Sequence, residues 1–328
     1  MKTPHDPSEP GAQPTDRASQ PTDRASQPLD PGLVAIIGER RQLINLAYRL
    51  LGSLADAEDV VQEAYTRWYA MSRERQEAIE SPGAWLTKVA GRICLDLLGS
   101  ARARRESYVG EWLPEPLPDR TEWDGGGPDL GTADPADRVT LDESVNMAFL
   151  VVLEEMTPAE RVAFILHDVF RYSFAEVAEI VGRTPAACRQ LATSARRRIR
   201  DSHTPPAASA VRRTEIVRSF KEAWEAKDIE ALVGLLDPNV TGFADGGGLV
   251  AAALRPMTGS EEFARYLLAA TAVPGLTVLE RTVNGQPGLV TQLDGATIGV
   301  LAFEIADDRI VRCWAVRNPE KLRTWPMC

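Results

Sequence analysis

The chain is poor in the residues from which most catalytic and metal centres are built. It has three histidines, His5, His167 and His203, and none of them falls in residues 211–328. Its four cysteines, Cys94, Cys188, Cys313 and Cys328, lie far apart and form no CxxC pair. That spacing supports neither a zinc site nor a disulfide framework and suits a reducing compartment. No metal or cofactor is expected. No apolar run approaches the roughly 18 residues that a membrane helix needs, and the N-terminal stretch is polar, unlike a secretion signal. The expectation is a cytoplasmic protein that makes no use of a membrane. Net positive charge is also missing. A formal charge of −10 argues against a nucleic-acid binder overall, so the basic residues have to be read segment by segment.

What is present is a globular composition, 44% apolar and 26% charged, on a chain long enough for two or three domains. Residues 1–32 are rich in Pro, Ser, Thr, Asp and Gln and carry a tandem heptapeptide, QPTDRAS at 13–19 and 20–26. With no apolar seam, this reads as a disordered tail. Residues 33–106 are helical in pattern. LVAIIGERRQLINLAYRLLG stops at Gly52. SLADAEDVVQEAYTRWYAM opens on Ser53 with Asp56 as its capping partner. A third helix starts at Ser81-Pro82 and runs into the basic ARARRE. Residues 107–136 hold seven acidic residues against one basic and many Pro and Gly, which marks a linker, with EWLPEPLP as its apolar island.

Residues 137–203 are helical again. Thr157/Glu160 and Ser173/Glu176 spell capping boxes, and Thr184-Pro185 marks another helix start. SFAEVAEIVG–RT–PAACRQLATSARRRIR therefore reads as a helix-turn-helix. Cys188, Leu191, Ala195 and Ile199 share its inward face and pack on Val177 and Ile180. Arg183, Thr184, Ala187, Arg189, Gln190, Thr193, Arg196 and Arg197 are left to solvent. Arg189 and Gln190, near the start of the second helix, suit base edges, and the later arginines suit phosphates. An arginine-rich end that merely complements the helix dipole is the bland alternative. After a short linker at 204–210, residues 211–328 begin with helices. A strand then passes through Val240–Ala244, a helix starts at Ser260, and four alternating runs form an antiparallel meander. The whole is an α+β domain.

These stretches together resemble an extracytoplasmic-function sigma factor of the kind that carries a fused SnoaL-like domain. The matching residues are LINLAYRLLGSLADAEDVVQEAYTRWY, SPGAWLTKVAGRICLDLL, WLPEP, YSFAEVAEIVGRTPAACRQLATSARRRI, DGGG and NPEKL. The resemblance implies a region 2 helical bundle, a region 4 helix-turn-helix and a C-terminal SnoaL/NTF2-like cone. It implies core RNA polymerase as partner, through the β′ clamp helices and β flap, with Asp56, Asp59, Gln62 and Glu63 facing the clamp. It implies −35 contacts by the helix-turn-helix set above. It implies −10 contacts by Trp85, Lys88, Arg92, Arg102 and Arg104, with a base pocket in the loop around Met71–Ile79. Trp85, four residues into a capped helix, reads as core first and as a stacking group second. Leu97 and Gly99 stand where relatives tend to carry arginine. Trp112, Leu113 and Pro114 of the linker, Asp245 with Gly246, Gly247 and Gly248, and Asn318 with Pro319 are implied to be regulatory. No separate anti-sigma protein is expected.

SnoaL-like enzymes need a carboxylate or histidine base in an apolar cavity. Here Asp245 is the one acid placed by motif at a strand end, without an evident partner, so an enzyme is not expected. A cavity holding a small apolar ligand, or a brace on the sigma domains, remains. The rival readings are a ligand-responsive helix-turn-helix regulator and a SnoaL-type enzyme fused to a DNA-binding half. DGGG also occurs at Asp124–Gly127, in the linker, where it reads as a hinge. Neither copy precedes the Lys-Ser/Thr helix start of a phosphate loop. In the Asp245 copy, Leu249 follows where the resemblance leads one to expect lysine, which points to backbone and apolar contact there.

Overall fold

A computed structural model describes residues 31–106, 108–118, 146–202 and 209–325, without the side chains of 31–38 and 101–106. The heptapeptide tail and the DGGG copy at Asp124–Gly127 lie outside the described residues.

Four helices come first: α1 (Pro31–Leu51), α2 (Leu54–Tyr69), the short α3 (Arg73–Glu77) and α4 (Pro82–Glu106). Gly52, at φ +69°, ends α1 by returning its N–H to the Tyr48 carbonyl at 2.7 Å. Ser53 then caps α2, accepting from the Asp56 N–H at 3.2 Å. Apolar residues recurring three and four apart bury one stripe of α2, namely Leu54, Ala57, Val60, Val61, Ala64 and Trp68.

The second helical group is α5 (Met147–Glu154), α6 (Pro158–Phe164), α7 (Phe174–Val181) and α8 (Pro185–Ser202). A π-helical turn over Ile165–Val169 follows α6. Both capping boxes form as spelled, at Thr157/Glu160 and at Ser173/Glu176. Gly182, left-handed at φ 70°, closes α7, and Thr184 accepts from the Ala187 N–H to start α8. The helix-turn-helix is therefore built by local signals.

These two groups do not behave as beads on a hinge. One apolar core runs through both, joining Leu43, Val60, Leu86 and Ala90 to Leu150, Ile165, Val177 and Cys188. Arg161, 2% exposed, is the polar tie within it. Its Nη1 donates to the Leu50 carbonyl at the end of α1 (2.9 Å) and to Glu154 Oε1 at the end of α5 (2.8 Å). The linker reading also needs correction over 108–118. Leu113, Pro114, Glu115 and Pro116 are buried, because this stretch threads between the helical core and the last domain.

The last domain comprises α9 (Ala210–Glu225), α10 (Ile229–Leu235), β1 (Leu236–Asp245), β2 (Met257–Thr258), α11 (Ser260–Ala270) and β3 to β6. The last four strands are Leu276–Val283, Gln286–Leu293, Ala296–Ala306 and Arg309–Val316. The sheet order is β2-β1-β6-β5-β4-β3. The meander is antiparallel as expected, but β1 pairs in parallel with β6, a closure that alternation cannot reveal. One face of the sheet packs with α9, α10 and α11 around Phe220, Leu232, Phe263 and Leu301. The other face, with Val290, Val300, Trp314 and Val316, packs on Leu113 of the linker and Met147 of α5. The sheet thus has a private face and a face turned to the rest of the chain.

Deleting the polar tie at Arg161 takes this donor from the partly buried Glu154 carboxylate and from the Leu50 carbonyl at once. Arg161→Ala is expected to destabilise the helical core by about 3–5 kcal/mol. Ser173→Ala, which removes only a cap, is expected to cost about 1 kcal/mol. Denaturant midpoints of the two variants against the parent check both values.

Candidate nucleic-acid interface and linker clamp

The helix-turn-helix presents Arg183, Thr184, Arg189, Gln190, Thr193 and Arg197 to solvent, while Ala187 is half-buried. The Arg189 guanidinium lies over the Phe174 ring at 5.2 Å, which holds it beside the turn. Arg196 departs from the set. It is half-buried and makes a forked pair with Asp168, at 2.7 and 3.2 Å. Arg197 pairs with Asp201 at 3.5 Å and Arg198 with Glu160 at 3.8 Å. The inward face is Cys188, Ala192 and Ala195 fully buried, with Leu191 and Ile199 partly so.

The proposed −10 residues sit differently. Trp85 is half-buried, edge-on to Trp68 with ring centroids 5.3 Å apart, a packing role first. Lys88 Nζ lies 2.6 Å from Glu179 Oε2, and an Arg92 Nη donates to the Glu179 carbonyl at 3.3 Å. Glu179 belongs to α7, so the helix-turn-helix domain lies across the face of α4 that carries these cations. Tyr172 adds a hydrogen bond to Thr87 at 3.0 Å. Gly91 makes the approach close, since a Cβ there would stand 3.0 Å from Ile180. The Lys88 ammonium holds the Glu179 carboxyl below its ordinary range. Arg102 and Arg104 lie on the last turns of α4, where side chains are outside the described residues. The segment around Met71–Ile79 contains α3, with Gln76 bonded to the Trp68 carbonyl at 2.8 Å.

Asp56, Asp59, Gln62 and Glu63 are all exposed along α2, away from the buried stripe. Glu63 pairs along its own helix with Arg67 at 2.8 Å. Among the described residues this acidic face is uncovered.

The residues that the resemblance implies to be regulatory converge on one carboxylate. Asp245, at the end of β1, is fully buried, and the expectation that it lacks a partner is overturned. Its Oδ1 accepts from the Tyr108 hydroxyl at 2.6 Å and the Gly247 N–H at 3.0 Å. Its Oδ2 accepts from the Leu113 N–H at 3.0 Å and Lys321 Nζ at 2.6 Å. Lys321 also donates to the Leu113 carbonyl at 2.5 Å, and its ammonium stands 4.1 Å from the Trp112 ring centre and 5.2 Å from that of Tyr108. Asn318 donates to the Tyr108 hydroxyl at 2.9 Å, and the N–H groups of Arg317 and Asn318 both reach the Asp245 carbonyl. Pro319 starts the 3₁₀ turn that aims Lys321 inward. The glycines are required by contact as well as conformation. Gly247 has φ +63° and any Cβ would strike the Asn318 side chain. Gly248 has φ +71° and its Cβ would stand 3.1 Å from Val109. Leu249 is 58% exposed; the loop approaches the linker through Gly248 against Val109 and through Leu254, itself 66% exposed, beside Gly110.

A second strip of contacts fixes the next residues of the linker. Glu115 donates its N–H to the Gly52 carbonyl at 2.8 Å, and its Oε2 accepts from the Leu54 N–H at 2.7 Å. The Tyr48 hydroxyl donates to the Glu115 carbonyl at 2.6 Å and accepts from Asn284 at 2.9 Å. Asn284 and Leu117 exchange two bonds, and Trp325 Nε1 donates to the Pro116 carbonyl at 2.9 Å. Burial raises the Glu115 carboxyl above its ordinary range, opposed by the Leu54 bond. Burial and the Asp245 carboxylate push the Tyr108 phenol up.

Sequence reasoning missed Tyr48, Tyr108, Glu115, Asn284, Lys321 and Trp325. Lys321 lay inside the quoted NPEKL. Asn284-Gly285 is legible as a hairpin turn, but nothing in a turn dipeptide says that its side chain holds a linker.

The private face of the sheet bounds a cavity of about 70 Å³ lined by Trp224, Phe263, Tyr266, Leu301 and Cys313 among others, with no carboxylate or imidazole in its lining. Asp245 is turned to the linker instead. No described helix is long and apolar enough to cross a membrane.

Profiles of known families match both helical parts: sigma-70 region 2 over residues 37–104 and sigma-70 region 4 over residues 146–199. The ECF RNA polymerase sigma factor SigJ of Mycobacterium tuberculosis is 38% identical over 304 residues, covering 88% of this chain and 92% of that one. The probable ECF sigma factor SigI of the same organism is 34% identical over 294 residues, covering 89% and 95%. The crystal structure of SigJ superposes with a TM-score of 0.70 at 35% identity, over 90% of this chain and all of that one. With both sigma regions matched and a relative of this identity aligned along nearly its whole length, the chain belongs to the ECF RNA polymerase sigma factors, whose partners are core polymerase and promoter DNA.

Proposed function

We propose that this sigma factor is kept closed by its own C-terminal domain, through the linker, and that closure restrains DNA engagement while leaving the polymerase face free. The observation that carries the reading is the position of Glu179. It occupies Lys88 and Arg92, two cations suited to −10 phosphates, from a helix of the −35 domain. The −10 and −35 elements cannot be engaged together while α7 lies on the cations of α4. Asp56, Asp59, Gln62 and Glu63 meet the β′ clamp helices, and the helix-turn-helix domain meets the β flap when released. Arg183, Thr184, Arg189 and Gln190 address the −35 element, with Thr193 and Arg197 beside them. Arg196 joins them only if it leaves Asp168.

The linker is the latch. Tyr108–Leu117 is bonded to α1, α2, β1 and the segment after β6 at once, so the two sigma regions are held by the C-terminal domain in cis. A fused domain acts at high effective concentration, and a modest contact suffices. That arrangement supports a factor that works without an obligate anti-sigma protein. The cavity's lining, which offers no general base, supports a regulatory rather than a catalytic domain.

Reconstituted transcription and promoter-binding assays on the full chain test this. Lys321→Met leaves Asp245 buried without its counter-charge, and the latch is expected to weaken by about 3–5 kcal/mol. Amide protection at Leu113, Glu115 and Leu117 should fall, and promoter binding in the absence of polymerase should rise. Unchanged protection, or weaker promoter binding, overturns the closed reading. Asp245→Asn combined with Lys321→Met should restore part of the lost protection, because the uncompensated charge is removed with its partner.

Glu115 supplies a pH signature. Its carboxyl is raised in the docked state, so docking is favoured below its ordinary range and weakens as pH rises through the raised value. Linker protection factors should therefore be higher under mildly acid conditions than at neutral pH. Glu115→Gln keeps an acceptor for the Leu54 N–H and should flatten that dependence.

A further inference from the structure

The cavity on the private face of the sheet is apolar except in one direction. Arg317, which continues β6 beyond Val316, is the one charged residue in its lining. Its Nη1 donates to the Ala251 carbonyl at 2.6 Å, and it has no carboxylate partner among the described residues. That bond is exposed, so the guanidinium stands in solvent at the edge of the apolar chamber, where it suits a ligand with an apolar body inside and a negative head at the rim. The chamber's about 70 Å³ is room for roughly five to seven water-sized atoms at ~10–15 Å³ each, so the ligand is small. Tyr266, Thr291 and Thr271 also line it, the last already tied to Trp224 and to the Leu267 carbonyl.

We propose that this cavity is a binding site for a short branched aliphatic carboxylic acid, its body among Phe263, Leu301 and Cys313 and its carboxylate on Arg317. Backbone carbonyls are weaker partners for a guanidinium than a carboxylate, which offers two oxygens to the fork. The ligand's head therefore competes with Ala251 for Arg317.

That competition reaches the latch, a consequence that rests on the closed reading above. Ala251 belongs to the segment that follows Gly248, and Leu254 of the same segment packs beside Gly110 of the linker. The strand itself couples the two sides. Cys313, Ala315 and Arg317 line the cavity, whereas Trp314 and Val316 on the alternate positions pack against the linker side, and Asn318 holds Tyr108. A ligand that turns Arg317 inward releases Ala251 and loosens the loop that embraces Asp245.

Titration of the full chain with isobutyrate and 3-methylbutanoate, by calorimetry and by thermal shift, tests the site directly. Isobutanol serves as the neutral isostere. Saturable binding with Kd of about 10 μM to 1 mM is expected for the acids, in line with ligands of this size. Isobutanol to the parent, and the acids to the Arg317→Gln variant, should each bind about tenfold or more weakly. Ala315→Leu fills the chamber without touching the cation and should abolish binding while the fold, read by circular dichroism, is kept. No saturable binding by either acid, equal binding of acid and alcohol, or undiminished binding by both variants overturns the site. Binding is read apart from transcription, so a failure of the closed form shows in linker protection and leaves this titration intact.

Discussion

One buried ion pair holds three distant parts of this chain in register. Asp245 and Lys321 would each be costly in an apolar setting alone, and their mutual attraction offsets that cost only when the remaining hydrogen-bonding capacity is also filled. Here it is filled by the linker, through the Tyr108 hydroxyl and both backbone groups of Leu113. The pair is therefore complete only when the linker is docked. A buried ion pair adds little net stability compared with apolar packing, but it penalises every arrangement in which a partner is missing. This is the property a latch requires, since it makes the docked and undocked forms discrete.

The sheet of the last domain makes the latch reportable. Alternation along β6 puts Cys313 and Ala315 on the chamber and Trp314 and Val316 on the face toward the linker. Packed interiors do not deform smoothly, so a change on one face is passed to the other as a shift between arrangements. The parallel pairing of β1 with β6 strengthens this link. It places Asp245 opposite Val316, and the Arg317 and Asn318 amides then reach the Asp245 carbonyl.

How far the sequence discloses this depends on the range of the signal. Capping boxes act over three residues, and both appear where Thr157-Pro-Ala-Glu160 and Ser173-Phe-Ala-Glu176 spell them. The meander and the glycine-rich turn after β1 are equally local. DGGG, WLPEP and NPEKL were legible as segments, and their common purpose came from resemblance. What no local signal carries is which groups meet. Asp245 looked partnerless because its partners beyond Gly247 in its own turn lie 76 and more than 130 residues away. The first part of the linker looked like a hinge because Pro and acidic residues usually mark solvated chain. Here its prolines remove amides that would need partners, and Glu115 is buried because two backbone groups and Tyr48 receive it. Gly91 likewise reads as a weak spot in α4 until Ile180 is seen against it.

The net charge of −10 then takes on a specific meaning. Phosphate affinity grows with each cation that DNA can neutralise. Lys88, Arg92, Arg196, Arg197 and Arg198 each meet an internal acceptor, four of the five being carboxylates, and the Lys88 and Arg92 contacts, both to Glu179, are the ones that join the two sigma regions. Each such pair is individually weak, because exposed ion pairs contribute little. Together they lower the number of phosphates the chain can neutralise, without any element blocking the recognition helix outright. The acidic face on α2 is untouched by this arrangement. The closed reading thereby sets an order of events: polymerase is met first, on the open acidic face, and DNA is met only after the internal carboxylates have been displaced from the arginines and the lysine.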